Sequence, residues 1–144
     1  MSRVEKAVSC FVNGFSCSQA ILSTYGIECG LDINLALKMA TGFGGGMGRL
    51  GLTCGAVTGA ITVIGLKYGR IKIEDMESKE KTYELVRDYV DSFIEINGST
   101  TCNKLLDCDI NSPEGLKHAY DKNLFKTMCP NFVRSSAEIL EKLL

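Results

Sequence analysis

The sequence predicts an all-α, single-domain helical bundle of about five to seven helices, in which a glycine-rich loop leads into a central helix. Three observations predict it. Apolar residues recur with helical period in segment after segment, and no convincing run of strand-type alternation occurs anywhere. Helix punctuation sits between those segments: Ser16, Asp32, Thr53, Thr101 and Ser112-Pro113 as starts, and Gly26, Gly69 and Gly98 as stops. The chain of 144 residues with 45% apolar content suffices for one core without staples, and it carries no repeat that would suggest a second domain.

The elements follow in order. Arg3–Val12 carries Val4, Ala7, Val8, Phe11 and Val12 on a helical period, broken by Asn13-Gly14. Ser16 caps a second helix, Cys17–Tyr25, with Gly26 as its stop. A connector containing Cys29 and Gly30 leads to Asp32, which caps Ile33–Ala40. The fourth helix, Cys54–Tyr68, starts after Thr53 as N-cap and ends near Gly69. Ile73–Asn97 is the longest regular stretch, with Met76, Tyr83, Val86, Val90, Phe93 and Ile94 as the expected buried stripe. Its Glu74, Glu77, Glu80, Glu84, Asp88 and Asp91 are read as a solvated face, with Glu77 and Lys81 spaced as a surface pair. A short helix begins at Cys102, another segment runs from Pro113 through Phe125, and Cys129-Pro130 opens the last helix, Asn131–Leu144.

Composition removes several function classes. A formal net charge of -1 offers no basic field for nucleic acid and no polybasic patch for a membrane. The longest apolar run, Ala56–Leu66, falls far short of the ~20 residues a membrane helix needs. Glu5 and Lys6 stand where a signal peptide would carry its apolar stretch, so a cytoplasmic location is expected. Seven cysteines in a compartment that keeps thiols reduced call for metal, cluster or redox chemistry rather than secretory disulfides. With His118 as the single histidine, Cys/His nucleophile pairs and His-rich metal sites have little to work with.

The cysteines divide into two sets. Cys17, Cys54, Cys102 and Cys129 each lie at or beside the first residue of an expected helix, where free N–H groups and a partial positive charge favour thiolate over thiol. They are the candidate catalytic and metal-ligating residues. Cys10 reads as a small buried hydrophobe, and Cys29 and Cys108 lie in connectors. There is no Cys-x-x-Cys, so neither a zinc ribbon nor a local dithiol is written, and any shared site must be assembled by folding.

Eight of the fifteen glycines fall between Gly42 and Gly59. Gly46-Met47-Gly48-Arg49-Leu50-Gly51 matches a dinucleotide-binding Gly-x-Gly-x-x-Gly, but the preceding segment is helical and no parallel sheet follows, so nucleotide binding is set aside. Two uses remain for the loop. Gly44, Gly45, Gly46, Gly48, Arg49 and Gly55 are candidates to support an anion or a negatively charged cluster at the start of the fourth helix. The same glycines equally let the chain pass tightly beside the cysteines. Small residues at Gly55, Ala56, Gly59 and Ala60 leave one helix face bare, which predicts a close neighbour: other cysteine segments, or a second copy in a homodimer.

Taken together, Asn13-Gly14-Phe15-Ser16-Cys17-Ser18-Gln19-Ala20, the glycine loop running to Cys54-Gly55-Ala56-Val57-Thr58-Gly59-Ala60, Cys102 with Leu105, Leu106 and Asp109, and Cys129 before the final helix form a pattern. The sequence resembles the redox-active protein family named for its cysteine signature, C_GCAxxG_C_C. The resemblance covers nearly the whole chain and departs at Asp107-Cys108, where the family is expected to carry glycine and an aromatic residue. It implies redox activity through the four cysteines that correspond here to Cys17, Cys54, Cys102 and Cys129, and it names no substrate. A similar domain is part of some multihaem cytochromes that also hold an iron–sulfur centre.

Two forms of one redox site stay open: four cysteines ligating an iron–sulfur cluster, or dithiol/disulfide pairs. The cofactor is therefore unknown, with a cluster ranked above zinc. The rival class is a structural zinc site of four cysteines in a non-enzymatic helical interaction module, or a subunit of a redox assembly. The expected partner is an unidentified redox protein or a small-molecule substrate, with no nucleic acid and no membrane.

Overall fold

The computed structural model describes residues 1–144, and it is all-α. Eight helices of five residues or more follow one another: α1 Arg3–Val12, α2 Cys17–Gly26, α3 Ile33–Thr41, α4 Gly55–Tyr68, α5 Met76–Asn97, α6 Cys102–Leu106, α7 Pro113–Asp121 and α8 Cys129–Leu143. The five-residue α6 is the short helix expected at Cys102. Single turns at Gly44–Met47 and Leu124–Thr127, and a 3-10 turn at Ile27–Cys29, complete the chain. No helix is long and apolar enough to cross a membrane.

Local chemistry sets most boundaries where the sequence places them. Ser16 and Gln19 form a capping box, with the Gln19 N–H donating to Ser16 Oγ at 3.3 Å and the Ser16 N–H to Gln19 Oε1 at 3.0 Å. Asp32 accepts from the Leu35 N–H and Ser112 from the Gly115 N–H, each satisfying a donor that the helix leaves free. Helix α2 ends at Gly26 as expected, and the chain then tightens into the 3-10 turn, which Gly30 closes with a φ of +87°. The long helix starts at Met76 rather than Ile73, because Asp75 caps it through the Ser78 N–H. The segment from Pro113 breaks after Asp121, at a left-handed Asn123.

Helix α4 is the middle of the molecule. Every residue from Gly55 to Ala60 is buried, with α2 on one side and α5 and α8 on the other. The bare face is explained inside one chain. A Cβ placed on Gly55 would lie 2.9 Å from the Ser18 N and 3.3 Å from Cys17 Cβ, and one on Gly59 would lie 3.1 Å from Ile21 Cβ. That close approach presses the start of α2, and with it Cys17, against the start of α4.

On α5 the buried residues are Leu85, Tyr89 and Phe93, with Val86 and Val90 alongside; Met76, Tyr83 and Ile94 of the expected stripe are exposed. A tyrosine goes inside because its hydroxyl is satisfied there. Tyr89 donates to Ser136 Oγ at 2.7 Å, and Ser136 donates to the Ala56 carbonyl at 2.8 Å, joining α5, α8 and α4. The acidic face of α5 is largely exposed, as read from the sequence. The i,i+4 ion pair that forms is Lys117–Asp121 on α7, whereas Glu77 and Lys81 make none.

Asp107 ends α6 in the left-handed conformation, φ +50° and ψ 44°. This is the position where the resemblance called for glycine, and the backbone shows why. Asp107→Gly is expected to raise stability by about 1 kcal/mol by removing the left-handed penalty. Urea unfolding of the reduced protein checks it, and an unchanged midpoint would contradict the strain.

Candidate functional site

The site is assembled from four helix starts and one unusual turn. Cys17, Cys102 and Cys129 are the first residues of α2, α6 and α8, and Cys54 is the residue before α4. Thr53 is therefore not the cap of α4. It pairs instead with Thr101 in an isolated antiparallel bridge, and the backbone on both sides joins in. The Cys54 N–H donates to the Thr100 carbonyl at 2.8 Å, the Cys102 N–H to Leu52 at 2.6 Å and the Asn103 N–H to Gly51 at 3.1 Å. Those three bonds hold Cys54 and Cys102 in register beside each other.

The glycine loop reaches this bridge through a left-handed turn. Gly45, Gly46, Met47, Gly48 and Arg49 all have positive φ, between +59° and +67°. Non-glycine residues pay about 1–2 kcal/mol each in that region, so Met47 and Arg49 are held there by the bonds around them. Those bonds use the turn's own donors: the N–H groups of Met47 through Leu52 all donate to carbonyls between Gly42 and Met47. The six donors are thus spent on the turn itself. Its close approach serves the cysteines, since a Cβ on Gly46 would lie 2.7 Å from Cys102 Cβ.

All four cysteines line one cavity of about 690 Å³. Of the glycine-loop candidates, Gly45, Gly46, Arg49 and Gly55 line it too, whereas Gly44 and Gly48 do not. Cys54, Cys102 and Cys129 are buried and Cys17 is half-buried. No three of the chain's His, Cys, Asp and Glu side chains are gathered as a ligand set for a metal ion.

The thiols differ in character. Hydrogen bonding with Cys129 first and then Cys54, joined by burial, pushes the Cys17 thiol well above the ordinary range. Cys54 moves the other way. The Cys17 thiol lowers it most, the N–H groups of Ala56 and Val57 at the start of α4 lower it further, and burial opposes them. Cys102 is pushed up to about 12, by burial first and then by the neighbouring Cys54, Cys129 and Cys108. Of the thiols in the cavity, Cys54 is thus the one whose ionised form the fold favours, and Cys17 and Cys102 are held toward the protonated form.

The other three cysteines lie outside the cavity. Cys10, inside α1, faces Ser23, and burial raises its thiol. Cys108 donates to the Gly115 carbonyl at 3.0 Å, and Cys29 is in the 3-10 turn. Sequence reasoning gave no site role to the aromatic and basic part of the cavity wall: Phe11, Phe15, Tyr120, Phe125, Lys126 and Phe132. They come from separate segments and share no local motif, so no signal in the chain groups them.

The family model described as "Putative redox-active protein (C_GCAxxG_C_C)" matches residues 15–143. No curated protein and no solved structure matches the chain.

Proposed function

The chain belongs to the redox-active C_GCAxxG_C_C family, and on that premise we propose that it is a thiol–disulfide exchange protein with Cys54 as the attacking thiolate and Cys17 as its resolving partner. The observation that carries this is the close approach of two helix starts in one cavity: Cys17 opens α2, Cys54 immediately precedes α4, both line the cavity, and a Cβ on Gly55 would lie only 3.3 Å from Cys17 Cβ.

The step balances without any further donor. The Cys54 thiolate attacks one sulfur of a disulfide substrate; that S–S bond breaks, and one half leaves as a thiolate. Cys17 then attacks Cys54 Sγ, its proton passes to a departing sulfur, and the second half is released as a thiol. One substrate disulfide is reduced to two thiols, and Cys17 and Cys54 are oxidised to a disulfide. Cys129, in the same cavity, can take over the pairing: it gives its proton to solvent and attacks Cys17 Sγ, the Cys17–Cys54 bond breaks, and Cys54 leaves as a thiolate. Cys102 stays protonated beside them at neutral pH.

The test is to equilibrate the protein in dithiothreitol buffers of graded poise, alkylate, and map the cysteines by mass. Two thiols are expected to disappear together, linked as Cys17–Cys54. Cys54→Ser should slow alkylation of the reduced protein at neutral pH more than Cys17→Ser does, because the fold lowers the Cys54 thiol and raises that of Cys17. Seven free thiols in the most oxidising buffer would refute exchange.

A second reading is favoured by one observation, that all four signature thiols share a single cavity. Four soft thiolate donors suit an iron–sulfur cluster or zinc, which would supply electron transfer or a structural cross-link respectively. Their side chains would have to close in on one another to ligate it. Anaerobic purification with iron, sulfide and zinc analysis separates the readings: iron with sulfide makes the protein a cluster carrier, and zinc without colour makes the site structural.

A further inference from the structure

The cavity above the thiols is built for more than exchange between any two sulfurs. Its wall holds five aromatic rings, those of Phe11, Phe15, Tyr120, Phe125 and Phe132. Phe15 and Tyr120 are 42% and 53% exposed, so two of these rings stand open to the cavity mouth instead of packing into the core. Tyr120 and Phe125 are tilted against each other at 5.2 Å between centroids, a stable edge for a third ring to stack on.

The charged groups on the wall have one sign. Arg49 and Lys126 line it, and no Asp or Glu does. Neither cation takes part in any of the chain's ion pairs, although four such pairs form elsewhere. Arg49 is oriented by donating from Nη2 to the Tyr120 hydroxyl at 3.3 Å, which sets a guanidinium at the edge of the aromatic wall. Its left-handed backbone, φ +66°, places a long cationic side chain at a position where glycine would be the easier residue. A volume of about 690 Å³ lies within the range of small-molecule sites, and apolar walls with a few placed polar groups are their usual chemistry.

From this arrangement we propose that the cavity binds small aromatic anions, ring against the phenyl walls and anionic group against Arg49 and Lys126, and that such molecules are the substrate class of the thiols beneath. The second half of that statement rests on the exchange reading; the binding half does not. An aromatic disulfide bearing a carboxylate satisfies both halves, its ring held over the Cys54 thiolate and its charge kept at the mouth. A neutral ring keeps the stacking and loses the cations. A cationic ring meets two like charges.

Three matched probes test it on the fully reduced protein by calorimetry: 2-naphthoate, 2-naphthalenemethanol and 2-naphthylmethylammonium. Naphthoate is expected to bind about tenfold tighter than the neutral alcohol, and the ammonium weakest. The Arg49→Gln, Lys126→Gln double variant should remove the preference for naphthoate while leaving binding of the alcohol as it was. Bound naphthoate should also protect Cys54 from iodoacetamide, which ties the binding to this cavity. Equal affinities for the three probes, naphthoate binding untouched by the double variant, or no naphthoate binding at millimolar concentration would each overturn the proposal. Because no exchange is needed for binding, a chain whose thiols never pair can still select naphthoate, and a competent exchanger can still ignore it. The two claims therefore fail separately.

Discussion

Gly46→Ala is expected to cost about 3–4 kcal/mol, whereas Gly48→Ala, two residues on in the same left-handed turn, costs about 1. The backbone term is common to both, since φ is +63° at one and +59° at the other. What differs is the space. A Cβ on Gly48 meets nothing within 4 Å; one on Gly46 would lie 2.7 Å from Cys102 Cβ, 2.7 Å from the Leu52 N and 2.9 Å from the Gly51 carbonyl carbon. Two of those three atoms are backbone, and that backbone is the strand that bonds to Cys102 and Asn103, so no side-chain rotation relieves the clash. Urea unfolding of both reduced variants measures the difference. Equal losses would mean that the turn carries only conformational strain and does not set the position of Cys102.

That pair of glycines shows which parts of the site a sequence can carry. Glycine density alone predicts positive φ and a close approach, and both occur beside a signature cysteine. The placement of the four cysteines at helix starts is also local chemistry: Ser16 writes its own capping box with Gln19, and Pro130 follows Cys129 at the opening of α8. Cys54 is the instructive partial case. A threonine before it reads as an N-cap, yet Thr53 is drawn into the bridge with Thr101, a partner 48 residues away by the numbering of the pair, and the cap role moves one residue on. Non-local pairing overrides a local signal there.

What the sequence leaves dark has the same origin. Tyr89 goes inside because Ser136 and Ala56 await its hydroxyl, and neither neighbour is near it in the chain. That Cys17, Cys54 and Cys129 share one cavity depends on how α2, α4 and α8 pack, so spacing cannot show it. The cationic and aromatic wall is assembled from α1, the connector after it, the glycine turn, α7, the turn after it and α8. Arg49 is visible as part of a glycine loop, but Lys126 and Tyr120 become meaningful only when folding brings them to the same rim.

The protein is expected to lose stability steeply as pH rises above about 9, and Cys102 supplies a measurable share of that loss. Its thiol is raised from an ordinary 9.0 to about 12 in the folded chain. A group raised on folding stabilises fully below its unfolded value and loses that contribution as pH climbs through the folded one, because the unfolded chain releases the proton first. That rise corresponds to about 4 kcal/mol, lost between about pH 9 and pH 12. Cys17 is shifted in the same direction and adds to the slope. Cys54 works oppositely: its lowered thiol contributes stability that is complete above the unfolded value and fades as pH falls toward the folded one, and this contribution is common to wild type and the Cys102 variant. Tyr25 and Tyr89, both raised chiefly by burial, join only above about pH 10, which leaves the interval just below to the cysteines. Urea midpoints of wild type and Cys102→Ser, compared in reductant at half-unit steps from about pH 8.5 to pH 10, isolate the term, since the variant removes one titrating thiol whatever it does to absolute stability. The wild type should fall more steeply, by up to about 1.4 kcal/mol per pH unit, the value of one proton. Parallel slopes would mean that Cys102 ionises as freely in the fold as out of it, and that water reaches this thiol more readily than the burial of Cys102 implies.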